Sequence, residues 1–273
     1  MSAVPALPTL AHAGRVTQAG VAVSEWTKIR SVRSTLWSLL VAVVLTIGLP
    51  ILFSAVTASH WGSMSPHERA DRHPLEIATA GVNLSQLPIA VLAVLTITAE
   101  YSTGMIRASF TATPKRLPVL WAKLGVFALL TFVLALPSVL IAFWASQAIL
   151  HNHPTLHVSL ADPSVARTVI GGAVYLVLIG VFAMALGAIV RNTAGGISAF
   201  AAIFFVIPPL LNILPSSWNQ AISPWIPDSA ARAVFQLTHD SGSLSPGAGA
   251  LLFVGYCAVA VAIAAVLLVR RDT

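Results

Sequence analysis

The stretch Leu36-Trp-Ser-Leu-Leu-Val-Ala-Val-Val-Leu-Thr-Ile-Gly-Leu-Pro-Ile-Leu-Phe-Ser-Ala-Val-Thr-Ala58 contains no acidic or basic residue. A helix needs roughly 20 predominantly apolar residues to cross the hydrocarbon of a bilayer, so this run predicts a transmembrane helix. Five further runs meet or approach that length: Val82 to Ala99, Leu120 to Leu150, Val169 to Val190, Gly195 to Leu214 and Ala248 to Val269. Together they predict an all-α polytopic membrane protein with six transmembrane helices. Val56-Thr57-Ala58 has the small residues of a signal cleavage site. A signal peptide, however, has a short leading region and an apolar core of about 7–15 residues. The first run is longer and follows a long polar segment, so it is expected to stay as an anchor.

Composition agrees. Hydrophobic residues make up 57% of the chain and charged residues 9%, against about 25% charged in soluble domains; mean hydropathy is +0.86. The polar stretches 1–34, 59–76, 100–118 and 215–247 are too short and too poor in apolar residues to bury cores of their own. Residues 1–34 therefore read as an N-terminal region and 35–273 as one membrane domain. The single cysteine, Cys257, lies in the last run, which excludes an intrachain disulfide and reads as packing.

Orientation follows from the cations. Arg15, Lys28, Arg30, Arg33, Arg107, Lys115, Arg116, Lys123, Arg191, Arg270 and Arg271 fall on the side of both termini, 11 of the 15 lysines and arginines. The opposite loops hold Arg69, Arg72, Arg167 and Arg232 with most of the acids: Glu68, Asp71, Glu76, Asp162, Asp228 and Asp240. The positive-inside rule then predicts a cell-membrane protein with cytoplasmic N- and C-termini. Topology accounts for the basic charge, and no soluble basic surface remains for nucleic acid.

Ahead of the first run, Ala22, Trp26, Ile29, Val32 and Leu36 recur at helical spacing. This predicts an amphipathic helix lying in the interface, with Glu25, Trp26, Lys28, Arg30 and Arg33 on it and the cationic stems reaching headgroups past lipid. A second feature is the loop from Ala99 to Pro118. Ser102 or Thr103 can cap a short helix there, Ile106 and Phe110 share a face, and Pro114 stops it. Glu100, at the membrane exit, is placed to pair with Arg107 or with a cation of the interfacial helix.

Ser24-Glu-Trp-Thr-Lys-Ile-Arg-Ser-Val-Arg-Ser-Thr35, a span, then a second span followed by Glu100-Tyr-Ser-Thr-Gly104-Met-Ile-Arg107 and Pro114-Lys-Arg116 resembles permease subunits of ABC transporters of the type 2 exporter class. The resemblance covers nearly the whole chain, with Met105 standing where a small polar residue is more usual. It implies that the loop between spans two and three carries a short cytoplasmic coupling helix, with Glu100, Tyr101, Gly104, Arg107, Phe110 and Pro114 in the coupling region. It also implies a separate nucleotide-binding ATPase subunit and pairing of two six-span chains, as a homodimer or with a similar permease. This chain is expected to be no enzyme and to bind no cofactor. It has no Gly-x-x-x-x-Gly-Lys-Ser/Thr, so ATP and Mg belong to the partner. The reading of another class is a non-transport membrane scaffold or regulatory protein that binds a cytoplasmic partner through the same helices.

The connection from Pro215 to Gly247 predicts a helix from Asp228 to Leu237 capped by Asp228 or Ser229; by the resemblance, this region is re-entrant. Pro208 and Pro209 are expected to break or shorten span five. Gly171-Gly172 and Gly195-Gly196 read as close-packing positions. Intramembrane polarity is sparse, with Asn83, Gln86 and Asn212 as candidates to line a substrate path. The absence of a mid-membrane ionisable residue argues against a proton- or ion-coupled transporter and suits a bulky amphipathic substrate. His60, His67, His73, His151, His153 and His157 cluster in the opposite loops. No metal site is expected, because structural zinc sites want four well-placed ligands.

Overall fold

A computed structural model describes residues 18–70, 72–102, 116–236 and 244–270. Among the described residues there is no strand, and six helices are long and apolar enough to cross a membrane. The chain is an all-α polytopic membrane protein. A surface helix α1 (Gln18–Ser31) leads into the first span α2 (Arg33–His60). After a short α3 (Pro66–Ala70) come spans two to four: α4 (Pro74–Ser102), α5 (Arg116–Leu150) and α6 (Pro163–Val190). Span five is composite: α7 (Thr193–Ala201), a wide π turn over Ala202–Val206 and α8 (Ile207–Leu211). Two short helices, α9 (Ser216–Ile222) and α10 (Pro227–Arg232), precede the last span α11 (Pro246–Arg270).

The spans differ in how much of their surface faces protein. In α6, 61% of the most apolar window is buried and in α4 56%, against 22% in α2 and 17% in span five. The bundle is thus built around α4 and α6, with α2 and α5 on one flank and α11 on the other. Tyr175, Ile179, Ala183 and Met184 of α6 are fully enclosed. Its Phe182 meets Phe204 of the π turn and Phe253 of α11 at ring-centroid distances of 5.8 and 5.9 Å. Elsewhere the apolar side chains point outward, Leu129 at 65% and Leu251 at 74% exposure, as lipid solvent requires.

Local chemistry sets the breaks. Asp162 caps α6 by accepting from Ser164 N at 2.8 Å, with Pro163 opening the helix. Asn192 caps α7 through Gly195 N at 2.9 Å. The π turn sits just before Pro208 and Pro209, with Ile207 N–H bonding Ala202 O. Each proline lacks a donor and its ring crowds the carbonyl four residues back, so the helix widens there and ends at Leu211, as the two prolines predict. The expected Asp228 or Ser229 cap is not formed. Ile226 occupies the cap position without a side-chain bond, and Asp228 lies in the first turn, where it binds Arg232 instead.

The segment after α10 packs into the bundle rather than over it. A Cβ on Gly171 would lie 2.5 Å from Val234 O, and Gly171 is about 12 Å along α6 from its first residue at 1.5 Å per residue. Only a glycine permits that approach. Ala230 and Ala231 are fully buried.

Candidate functional site

At the end of the bundle that carries α1, four charged side chains from three helices close into a ring. Glu25 and Lys28 come from α1, Glu100 from the last turn of α4, and Lys123 from the second turn of α5. Lys28 Nζ donates to Glu25 Oε1 at 2.7 Å and to Glu100 Oε1 at 2.9 Å. Lys123 Nζ donates to Glu100 Oε1 at 2.9 Å, and it also bonds Glu25 Oε2. Two cations alternate with two anions, so the ring is neutral. Glu25 and Lys123 are 2% and 3% exposed, which only pairing makes tolerable. Burial pulls the Lys28 ammonium toward its neutral form, but the Glu25 and Glu100 carboxylates outweigh it and hold its pKa above the ordinary lysine value. Lys28 therefore stays charged throughout the physiological range.

The position of the ring matters as much as its chemistry. The connection 103–115 leaves α4 just after Glu100 and returns as α5 shortly before Lys123. The ring therefore ties both stems of that connection to each other and to α1. Beside it, Arg191 ends α6 in the left-handed conformation at φ 59°. Its guanidinium lies 5.1 Å from the centre of the Tyr101 ring and donates to Leu267 O of α11 at 3.0 Å. Thr98 and Thr193 hydroxyls meet at 2.7 Å nearby. Six helices, α1, α4, α5, α6, α7 and α11, are thus cross-linked at one end of the bundle.

Of the residues singled out by sequence, Glu25, Lys28 and Glu100 come together, and Glu100 does pair with a cation of the N-terminal helix. Tyr101 lies beside Arg191. Gly104, Arg107, Phe110 and Pro114 lie outside the described residues, as does the short helix expected there. Trp26, Arg30 and Arg33 are exposed. The expected stripe through Leu36 is corrected: α1 ends at Ser31, and Val32 is extended at φ −94°, ψ 117°. Its buried face is Glu25 and Ile29, while Trp26 and Val32 are 46% and 48% exposed. A hydrophobic stripe assumes an apolar partner, whereas α1 packs on Glu100 and Lys123. Lys123 was legible only as one cation among the inside set, yet a lysine within an apolar run needs a carboxylate. Glu25 and Glu100 were the acids on its side ahead of the C-terminal tail.

At the opposite end a second polar set joins α4, α6 and α10. Arg232 binds both Asp228 carboxylate oxygens at 2.9 Å and Asn83 Oδ1 at 3.1 Å. Gln86, fully buried, accepts from the Tyr175 hydroxyl at 2.5 Å and donates to Asn83 O at 2.8 Å. Asn83 and Gln86 thus hold helices together, and Asn83 also lines a cavity of about 220 Å³ with Glu76, Thr79 and Thr168. Asn212 stands apart, exposed, with its Oδ1 accepting from Asn219 at 3.3 Å. Of the histidines, His153 packs on Trp61 at 5.2 Å.

Burial raises the Asp228 pKa above the usual carboxylate range, with Arg232 opposing it. A raised folded-state pKa means that the folded protein binds more protons than the unfolded chain between the two pKa values, so the stability contribution of Asp228 falls as pH rises through that window. Arg232→Ala removes the opposing charge. Its thermal midpoint is expected to drop more steeply than that of the wild type as pH rises above the ordinary aspartate pKa. Parallel pH profiles of the two proteins would refute this role.

No family model matches the chain and no curated protein matches it.

Proposed function

We propose that this chain is the membrane-spanning permease subunit of an ATP-driven exporter of the ABC type 2 class, set in the cell membrane with cytoplasmic termini. The observation that carries the reading is the charge ring. It braces the connection between spans two and three against an interfacial helix, which is what a lever receiving force from an ATPase requires. A loop pushed by a partner transmits motion only if its stems are fixed to the spans, and Glu100 and Lys123 fix both. ATP and Mg would be held by the separate ATPase subunit, and a second permease chain would complete the path. The exposed apolar faces of α2, span five and α11 offer surface for lipid and for such a partner. A fold of this kind does not fix its cargo.

The test is purification of the tagged chain in mild detergent, with mass spectrometry of its companions and an ATPase assay. A stoichiometric P-loop ATPase is expected, lost when residues 101–110 are scrambled in a variant that still inserts. Replacing Arg107 and Phe110 together is expected to abolish transport with insertion unchanged. A well-folded chain that repeatedly brings no ATPase would instead make it a scaffold.

A further inference from the structure

Under α1 lies a cavity of about 380 Å³ whose walls are α1, the first turn of α2, and facing stretches of α4 and α5. Its size falls in the range of about 300–1,000 Å³ typical of small-molecule sites. One side is apolar, formed by Ile29, Val32, Leu92 and Leu95. The other carries the four charges of the ring, Glu25, Lys28, Glu100 and Lys123, together with Ser34, Thr35 and Thr96. This division into an oily wall and a polar corner is the profile of an amphiphile.

Three observations sharpen the polar corner. The Lys28 side chain is 30% exposed, and its ammonium has three N–H donors, of which the ring uses two. Thr35 is 6% exposed, and its hydroxyl forms no hydrogen bond with another described residue. The 28-residue α2 begins without a side-chain cap at Val32, so its first-turn N–H groups and the positive end of its dipole meet the same corner. The ring itself is neutral, while Arg30 and Arg33 are exposed close by. The corner therefore favours an anion. Its depth is set by Trp26 and Trp37, exposed at 46% and 67%, residues that favour the headgroup level of a bilayer.

We infer that this cavity binds an anionic phospholipid from the leaflet on the side of the termini. The phosphate sits at the α2 N-terminus against Lys28 and Thr35, and an acyl chain runs along Ile29, Val32, Leu92 and Leu95. The lipid would wedge between α1 and the spans beside the charge ring. The inference rests on the membrane-spanning fold and not on the transport reading.

The experiment is native mass spectrometry of the delipidated chain titrated with phosphatidylglycerol or phosphatidylcholine. One phosphatidylglycerol per chain is expected to bind at least about tenfold more tightly than phosphatidylcholine, because the choline cation beside the same phosphate is repelled by the positive end of α2 and by Lys28, Arg30 and Arg33. Two variants test the site. Ser34→Asp puts a carboxylate where the helix dipole welcomes it but the phosphate would be repelled, and Leu95→Trp fills the apolar wall. Both are expected to lose the selective adduct, while Leu129→Trp on the outer surface keeps it. Equal binding of the two lipids, or selectivity that survives in Ser34→Asp and Leu95→Trp, would overturn the inference. Thermal unfolding of each variant in detergent separates a lost site from a lost fold.

Discussion

Lys123→Met is expected to destabilise the protein by about 3–5 kcal/mol, because removing one partner of a buried ion pair leaves an uncompensated buried charge. Here the substitution leaves two carboxylates to one cation. Glu25 and Glu100 both accept from Lys123, and without it Lys28 alone must neutralise them. Methionine matches the lysine stem in length and fills the same space, so the loss reports charge rather than a cavity. The decisive companion is Lys123→Met combined with Glu25→Gln. That pair of changes restores neutrality, leaving Lys28 with Glu100 at 2.9 Å, and is expected to recover most of the loss. Thermal unfolding in detergent of the wild type, both single variants and the double variant closes the cycle. A double variant as weak as the sum of the singles would show that the four charges do not act as one unit.

Gly81→Ala should cost about 3 kcal/mol, at the upper end of the usual range for overpacking. A Cβ at Gly81 would lie 2.5 Å from both Leu45 O and Thr46 O and 2.8 Å from Thr46 Cα. All three are backbone atoms, so no side chain can rotate away and α2 must separate from α4. Separation also opens the polar contact beside it. The Thr46 and Ser85 hydroxyls lie 2.7 Å apart, and both reach Ala42 O, at 2.7 and 3.0 Å. The same substitution at Gly48, one turn along α2 from Leu45, has the opposite expectation. Nothing lies within 4 Å of its Cβ position, so Gly48→Ala should be neutral or stabilising by up to about 1 kcal/mol, the helix-propensity difference. Equal effects at the two sites would remove close approach as the reason for glycine at 81.

The six spans were legible because bilayer solvent is a simple demand, met by length and apolarity without knowledge of neighbours. Each apolar run expected from composition lies within or overlaps one of the six long helices, and Pro208 and Pro209 mark where span five ends. Backbone chemistry is local, so it can be read locally. The Asp228 cap was misjudged because its carboxylate had two suitors, the helix N–H groups and Arg232 one turn on, and sequence does not rank them. In the fold the residue is 4% exposed, and a buried carboxylate goes to the cation.

The candidate site divides along the same line. Glu25, Lys28 and Glu100 were visible as charged residues at the membrane exit, and the chain by itself determined that they lie near the interface. The tertiary structure alone decided that Lys123, 98 positions from Glu25 and 23 from Glu100, completes the ring, and that α1 turns its charges inward and its tryptophan outward. Apolar periodicity predicts which face avoids water. Which face avoids lipid depends on where countercharges wait, and these are set by how α4 and α5 pack together.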